Sequence, residues 1–150
     1  MVRLPDDPLT ERFDTAAVEP AAALTWGAMS VAVDLGALAD RLAEFGDRAY
    51  LLTVTDDNQP HVVSVQVALS GDHLATTVGR RTGANLAQRP TATLLWPPRG
   101  PDGAYSLIVD GTALDASGEG PVSLVPTAAV LHRVAGAGGE GPTCIPVTDA

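Results

Sequence analysis

Residues 49–78, AYLLTVTDDNQPHVVSVQVALSGDHLATTV, decide the fold. AYLLTVT (49–55) is rich in strand formers, and HVVSVQVAL (61–69) alternates with a period of two. Val63, Val65, Val67 and Leu69 share one face of the second segment, while Val62, Ser64, Gln66 and Ala68 share the other. DDNQP (56–60) is turn chemistry, because Asp and Asn tolerate awkward backbone angles and Pro60 ends the loop. SGD (70–72) is a tight turn, and HLATTV (73–78) is a third strand. The connections are too short for crossovers, so the three strands form an antiparallel meander.

Upstream, DLGALADRLAEFG (34–46) predicts an amphipathic helix of about three turns. Asp34 is a suitable N-cap and Gly46 a natural stop. Leu35, Leu38, Ala39, Leu42 and Phe45 fall on one face, with Asp40, Arg41 and Glu44 on the wet side. Residues 1–33 carry Pro5, Pro8 and Pro20 with no sustained period, and read as an N-terminal arm.

Downstream, GRRTGANLAQRP (79–90) puts two adjacent arginines between the third strand and a short helix. Thr82 is the expected cap of a helix over Gly83–Gln88, which Pro90 stops. TATLLW (91–96), AYSLIVDGTALD (104–115) and PVSLVPTAAVLHRV (121–134) follow as strands four to six. Gly111 marks a bulge or a close backbone approach, and Pro126 a bend. The tail, 135–150, is glycine-rich apart from an extended CIPV. The pattern predicts an α+β chain: a small six-stranded antiparallel β-barrel over 34–134, with a leading helix and a short helix between strands 3 and 4.

Composition narrows the function. The net charge of -9 argues against a nucleic-acid surface or docking to anionic membrane. No apolar run is long enough to cross a bilayer and the N-terminus has no signal core, so a cytoplasmic location is expected. Cys144 is the single cysteine, which excludes an intramolecular disulfide, and His61, His73 and His132 lack ligand spacing, so no metal site is expected. The three histidines read as ordinary surface or strand-end residues. No nucleophile elbow is present, and no catalytic acid or base stands out.

The chain has no lysine, so its positive charge rests on nine arginines. Arg80, Arg81, Thr82 and Asn85 at a helix start could cradle a phosphate, because free N–H groups and forked guanidinium donors suit its oxygens. The same residues could equally form a solvated turn paired with nearby acids, and spacing alone slightly favours that plainer reading.

From about Leu35 to Ala116 the order of elements resembles the flavin-binding split-barrel superfamily of pyridoxamine 5'-phosphate oxidase and its relatives. The resemblance rests on the helix followed by RAYLLTVTDDNQPHVVSVQVAL, on GRRTGANLAQRPTATLLW and on YSLIVDGTAL. Within these stand Asn58-Gln59-Pro60, Asn85-Leu86 with Pro90, and Gly111-Thr112-Ala113. The resemblance makes the six-stranded barrel a split β-barrel and implies an oxidoreductase using FMN or the deazaflavin coenzyme F-420. The phosphate would lie on Arg80, Arg81, Thr82 and Asn85, and the ring against Val63, Ser64, Val65 and Gln66. It also implies a homodimer and a small-molecule substrate. The alternative is a non-catalytic module that sequesters a flavin, haem or other anionic ligand, or has lost its ligand. Three departures stand out: Thr82 sits near the place of a common lysine, Asn58 replaces a favoured glycine, and only about five residues follow Asp115 before the last strand.

Overall fold

The computed structural model describes residues 35–99, 103–133 and 144–146. The expected N-terminal arm, the Asp34 cap and most of the glycine-rich tail lie outside the described residues. Helix α1 (Leu35–Phe45) leads into β1 (Arg48–Val54), β2 (Pro60–Ser70) and β3 (His73–Val78). Helix α2 (Arg80–Gln88) precedes β4 (Thr91–Trp96), β5 (Tyr105–Leu114), β6 (Gly120–Arg133) and the short β7 (Cys144–Pro146).

The strands form one antiparallel sheet in the order β3-β2-β1-β4-β5-β6-β7, and β3 also pairs with β6. That last pairing closes six strands into a barrel, with β7 added on the far part of β6. Helix α2 carries the chain from β3 across to β4, which pairs with β1.

The period of two in β2 is realised. Val65 and Val67 are buried and Val63 half-buried, while Val62, Ser64, Gln66 and Ala68 face outward. Leu69 keeps the parity of Val67, opposite the buried Leu74, but is exposed because it sits near the end of the β2–β3 hairpin. The interior is built from aliphatic side chains around Trp96, whose Nε1 donates to the Gly46 carbonyl at 2.9 Å. Leu38 of α1 is fully buried on this core, with Leu42 and Phe45 packed beside it. Gly46 ends α1 in the left-handed region (φ +85°), with its N–H on the Leu42 carbonyl at 2.7 Å.

The β1–β2 turn places Asn58 at φ +60°, a conformation asparagine accepts in place of glycine. Gly111 makes the expected close approach: a Cβ there would stand 2.9 Å from the Val125 carbonyl oxygen. The pairing slips at this point, and the extra residue is Thr127 on β6, next to Pro126.

Helix α2 begins earlier than its sequence suggests. Gly79 is the N-cap, with extended backbone and no side-chain cap, so Arg80 and Arg81 lie inside the first turn. Thr82 is therefore not the cap. It is buried in the helix–barrel contact, and that packing overrides its local preference to cap.

Candidate functional site

The barrel is split between β2 and β3. The two strands pair only from Val67↔Thr76 to Ser70↔His73. Beyond that fork β3 continues alongside β6 through Thr77 and Val78, while β2 from His61 to Gln66 keeps β1 as its partner. Thr76 Oγ1 closes the fork by donating to the Gln66 carbonyl at 2.8 Å. The diverging strands leave an open edge on β2, and the first turn of α2 stands at the mouth of the gap.

A cleft of about 340 Å³ occupies this gap. Val63 and Val65 line it from β2, and Arg80, Arg81 and Thr82 from α2. Ser64 reaches the same cleft from the outer face of β2. Six of the residues singled out from sequence therefore converge here. The remaining two do other work. Asn85 is 6% exposed and donates from Nδ2 to Thr53 Oγ1 at 3.0 Å, tying α2 to β1. Gln66 turns outward and donates from Nε2 to Asp47 at 2.6 Å, away from the cleft.

The electrostatics of the first turn follow from its caps. Gly79 offers no side-chain acceptor, so first-turn N–H groups are left for another partner. Arg80 and Arg81 are exposed and, among the described residues, form no ion pair or side-chain hydrogen bond. The far end of α2 is fixed instead: Arg89 donates to Asp56 at 3.0 Å and ties the helix to the β1–β2 turn. In that turn Thr55 donates to the Asp57 carboxylate and accepts the Gln59 N–H at 3.0 Å. The Thr55 hydrogen bond, then the Asp57 backbone N–H and the Arg81 charge, hold the Asp57 carboxyl below its usual range.

His61 was the residue missed. It lines the cleft, and its Nε2 lies 3.2 Å from Thr82 Oγ1. The signal was present, since His61 continues the inward parity of Val63 and Val65 along β2.

No family model matches the chain. Proteins from Mycobacterium bovis and Mycobacterium tuberculosis, each described only as uncharacterized, are 44% identical to it over 67% of this chain and 80% of theirs. The chain shares a family with these mycobacterial proteins. Solved structures show the same fold at low identity. An F-420 reductase aligns at TM-score 0.50 and 20% identity, over 60% of this chain and 94% of its own. A pyridoxinephosphate oxidase family protein from Clostridium acetobutylicum aligns at 0.50 and 12%, over 64% and 86%. A haem-binding protein from Mycobacterium smegmatis aligns at 0.54 and 18%, over 77% and 59%.

The chain has the split-barrel fold of these solved structures.

The split in this barrel is the β2–β3 fork, and the short helix after strand three stands at its mouth. No helix among the described residues is long and apolar enough to cross a membrane.

Proposed function

We propose that this split barrel is a small oxidoreductase that binds FMN, or the deazaflavin coenzyme F-420, in the β2–β3 cleft. One observation carries the reading. Two guanidinium groups without ion-pair partners among the described residues, an uncapped helix start and an open strand edge over an apolar floor all face one cleft. These are complementary to a ligand with an anionic end and a flat, largely apolar end. The cleft volume falls at the small end of ligand pockets, which run from about 300 to 1,000 Å³.

Arg80, Arg81 and the first-turn N–H groups of α2 hold the phosphate in this account, with Thr82 beneath them. Asn85 fixes the helix from the barrel side through Thr53. Val63 and Val65 exclude water under the ring, and Ser64 and Gln66 stand on the outer side of the same strand. A bound flavin or deazaflavin supplies hydride or electron transfer itself. The chain's own residues bind and orient it, and none is assigned as an acid or base.

The proposal includes a homodimer. Val62 is 51% exposed and Tyr50 45%, on the outer face of β2 and β1. Tyr50 pairs with Ser64 and Leu95, and Leu52 with Val62, so these side chains form one continuous surface. Ser64 belongs both to that surface and to the cleft, so a second copy seated there would cover the side of the cofactor site.

The test is the visible absorbance of the purified protein, followed by titration with FMN and with F-420. A cofactor that binds at micromolar levels and is reduced and reoxidised supports the oxidoreductase. Binding without any turnover makes the protein a sequestering module. Haem is the competing ligand in that case, because His61 brings an imidazole to the same cleft. Failure of both cofactors to bind removes the proposal.

A further inference from the structure

His61 and Thr82 come from different elements, 21 residues apart in sequence, and meet inside the cleft. Thr82 is 2% exposed, so its hydroxyl has little access to water, and the imidazole 3.2 Å away is the side chain it meets. The direction of this hydrogen bond has chemical consequences. A neutral imidazole can accept at Nε2, and the Thr82 hydroxyl then uses its single hydrogen on His61. An imidazolium carries hydrogen on both nitrogens and must donate. Thr82 Oγ1 is then the acceptor, and its own hydrogen is released toward the occupant of the cleft.

We propose, on the phosphate reading above, that His61 is a positioning residue of the anion site. Protonated, it turns the Thr82 hydroxyl toward the ligand phosphate and adds a third positive charge beside Arg80 and Arg81. The His61–Thr82 pair thereby adds to the cleft a charge that depends on the protonation of the imidazole.

The other charged groups on the surrounding elements are Arg80 and Arg81 on α2, Asp57 in the β1–β2 turn and Glu119 in the β5–β6 loop. Asp57 in the β1–β2 turn is held ionised by Thr55, its own backbone and Arg81. Glu119 lies in the β5–β6 loop, whose Gly118 packs on Gly83, and is a surface carboxylate. An anion favours the charged form of the His61 imidazole, so anion binding takes up a proton. A protonated His61 therefore holds the anion more tightly than a neutral one.

The probe is inorganic sulfate, which keeps its charge across this range, added to the full chain at constant ionic strength. Backbone amide shifts of Gly79–Gly83 report binding. We expect sulfate to bind about three- to tenfold more tightly near pH 6 than near pH 8. In His61→Gln the pH dependence disappears, with an unchanged thermal midpoint showing that the variant is folded. A wild-type affinity independent of pH, or the same dependence in His61→Gln, overturns the role of His61 while leaving the anion site in place. Sulfate that moves none of these amides overturns the anion site and the flavin reading with it. Failure of FMN and F-420 to bind, beside His61-dependent sulfate binding, removes the flavin reading alone.

Discussion

Gly83 joins the fold to the site, and Gly83→Ala tests that connection. A Cβ at this position would stand 1.8 Å from the Gly118 carbonyl oxygen, 2.3 Å from its carbon and 2.8 Å from its Cα. Carbon contacts settle near about 3.5 Å, so helix and loop would have to part by roughly 1.7 Å. Both sides are backbone, so no flexible side chain can move away. The opposing effect is local: alanine inside a helix is better than glycine by about 0.5–1 kcal/mol. Overpacking costs about 1–3 kcal/mol, and with backbone on both sides of the contact the upper part of that range, about 2–3 kcal/mol, applies. The clash wins, and Gly83→Ala is expected to destabilise by about 1–2 kcal/mol. The thermal midpoint should fall by about 2–8 °C, at about 2–4 °C per kcal/mol for a chain of this size. Ala84→Gly is the control: Ala84 is exposed on the same helix, and this change alters propensity without touching Gly118. Displacing α2 also moves Arg80 and Arg81, so cofactor binding should weaken in Gly83→Ala and hold in Ala84→Gly. A Gly83→Ala protein as stable as the wild type, or more so, would show that the first turn is not seated on the β5–β6 loop.

Three further outcomes follow from the same geometry. Asn85→Ala leaves Thr53 Oγ1 buried without its donor and should cost about 1–3 kcal/mol in urea unfolding. Asp57 has a lowered pKa, so its carboxylate contributes stability that is complete above the ordinary Asp value and lost as pH falls through the folded one. Asp57→Asn should therefore lower the melting midpoint slightly at neutral pH and flatten the acid limb, so that the two profiles converge as pH falls. Val62→Arg should convert the proposed dimer to a monomer in sedimentation, and a wild-type chain that is monomeric at all concentrations would remove the interface.

Much of the fold was legible because its signals are local. The alternation of HVVSVQVAL fixed which side of β2 faces inward, and the glycine after Phe45 fixed the end of α1. A barrel was expected, but that β3 and β6 close it was not legible, because that pairing joins segments more than forty residues apart with no shared local pattern. The start of α2 was misplaced for a related reason. Thr82 has the chemistry of a cap, but its hydroxyl is held by His61, which arrives from a distant strand. His61 itself lay in plain parity with Val63, yet a lone histidine carries no motif. Its meaning came from the cleft.

The central claim is that the first turn of α2 holds a cofactor phosphate. Its most direct test is titration of FMN and F-420 into the wild type, Arg80→Ala and Arg81→Ala. The account predicts that one cofactor binds the wild type and that each substitution weakens it by about 1.5–3 kcal/mol, roughly ten- to a hundredfold. Equal affinity in all three proteins would place the phosphate elsewhere and contradict the account.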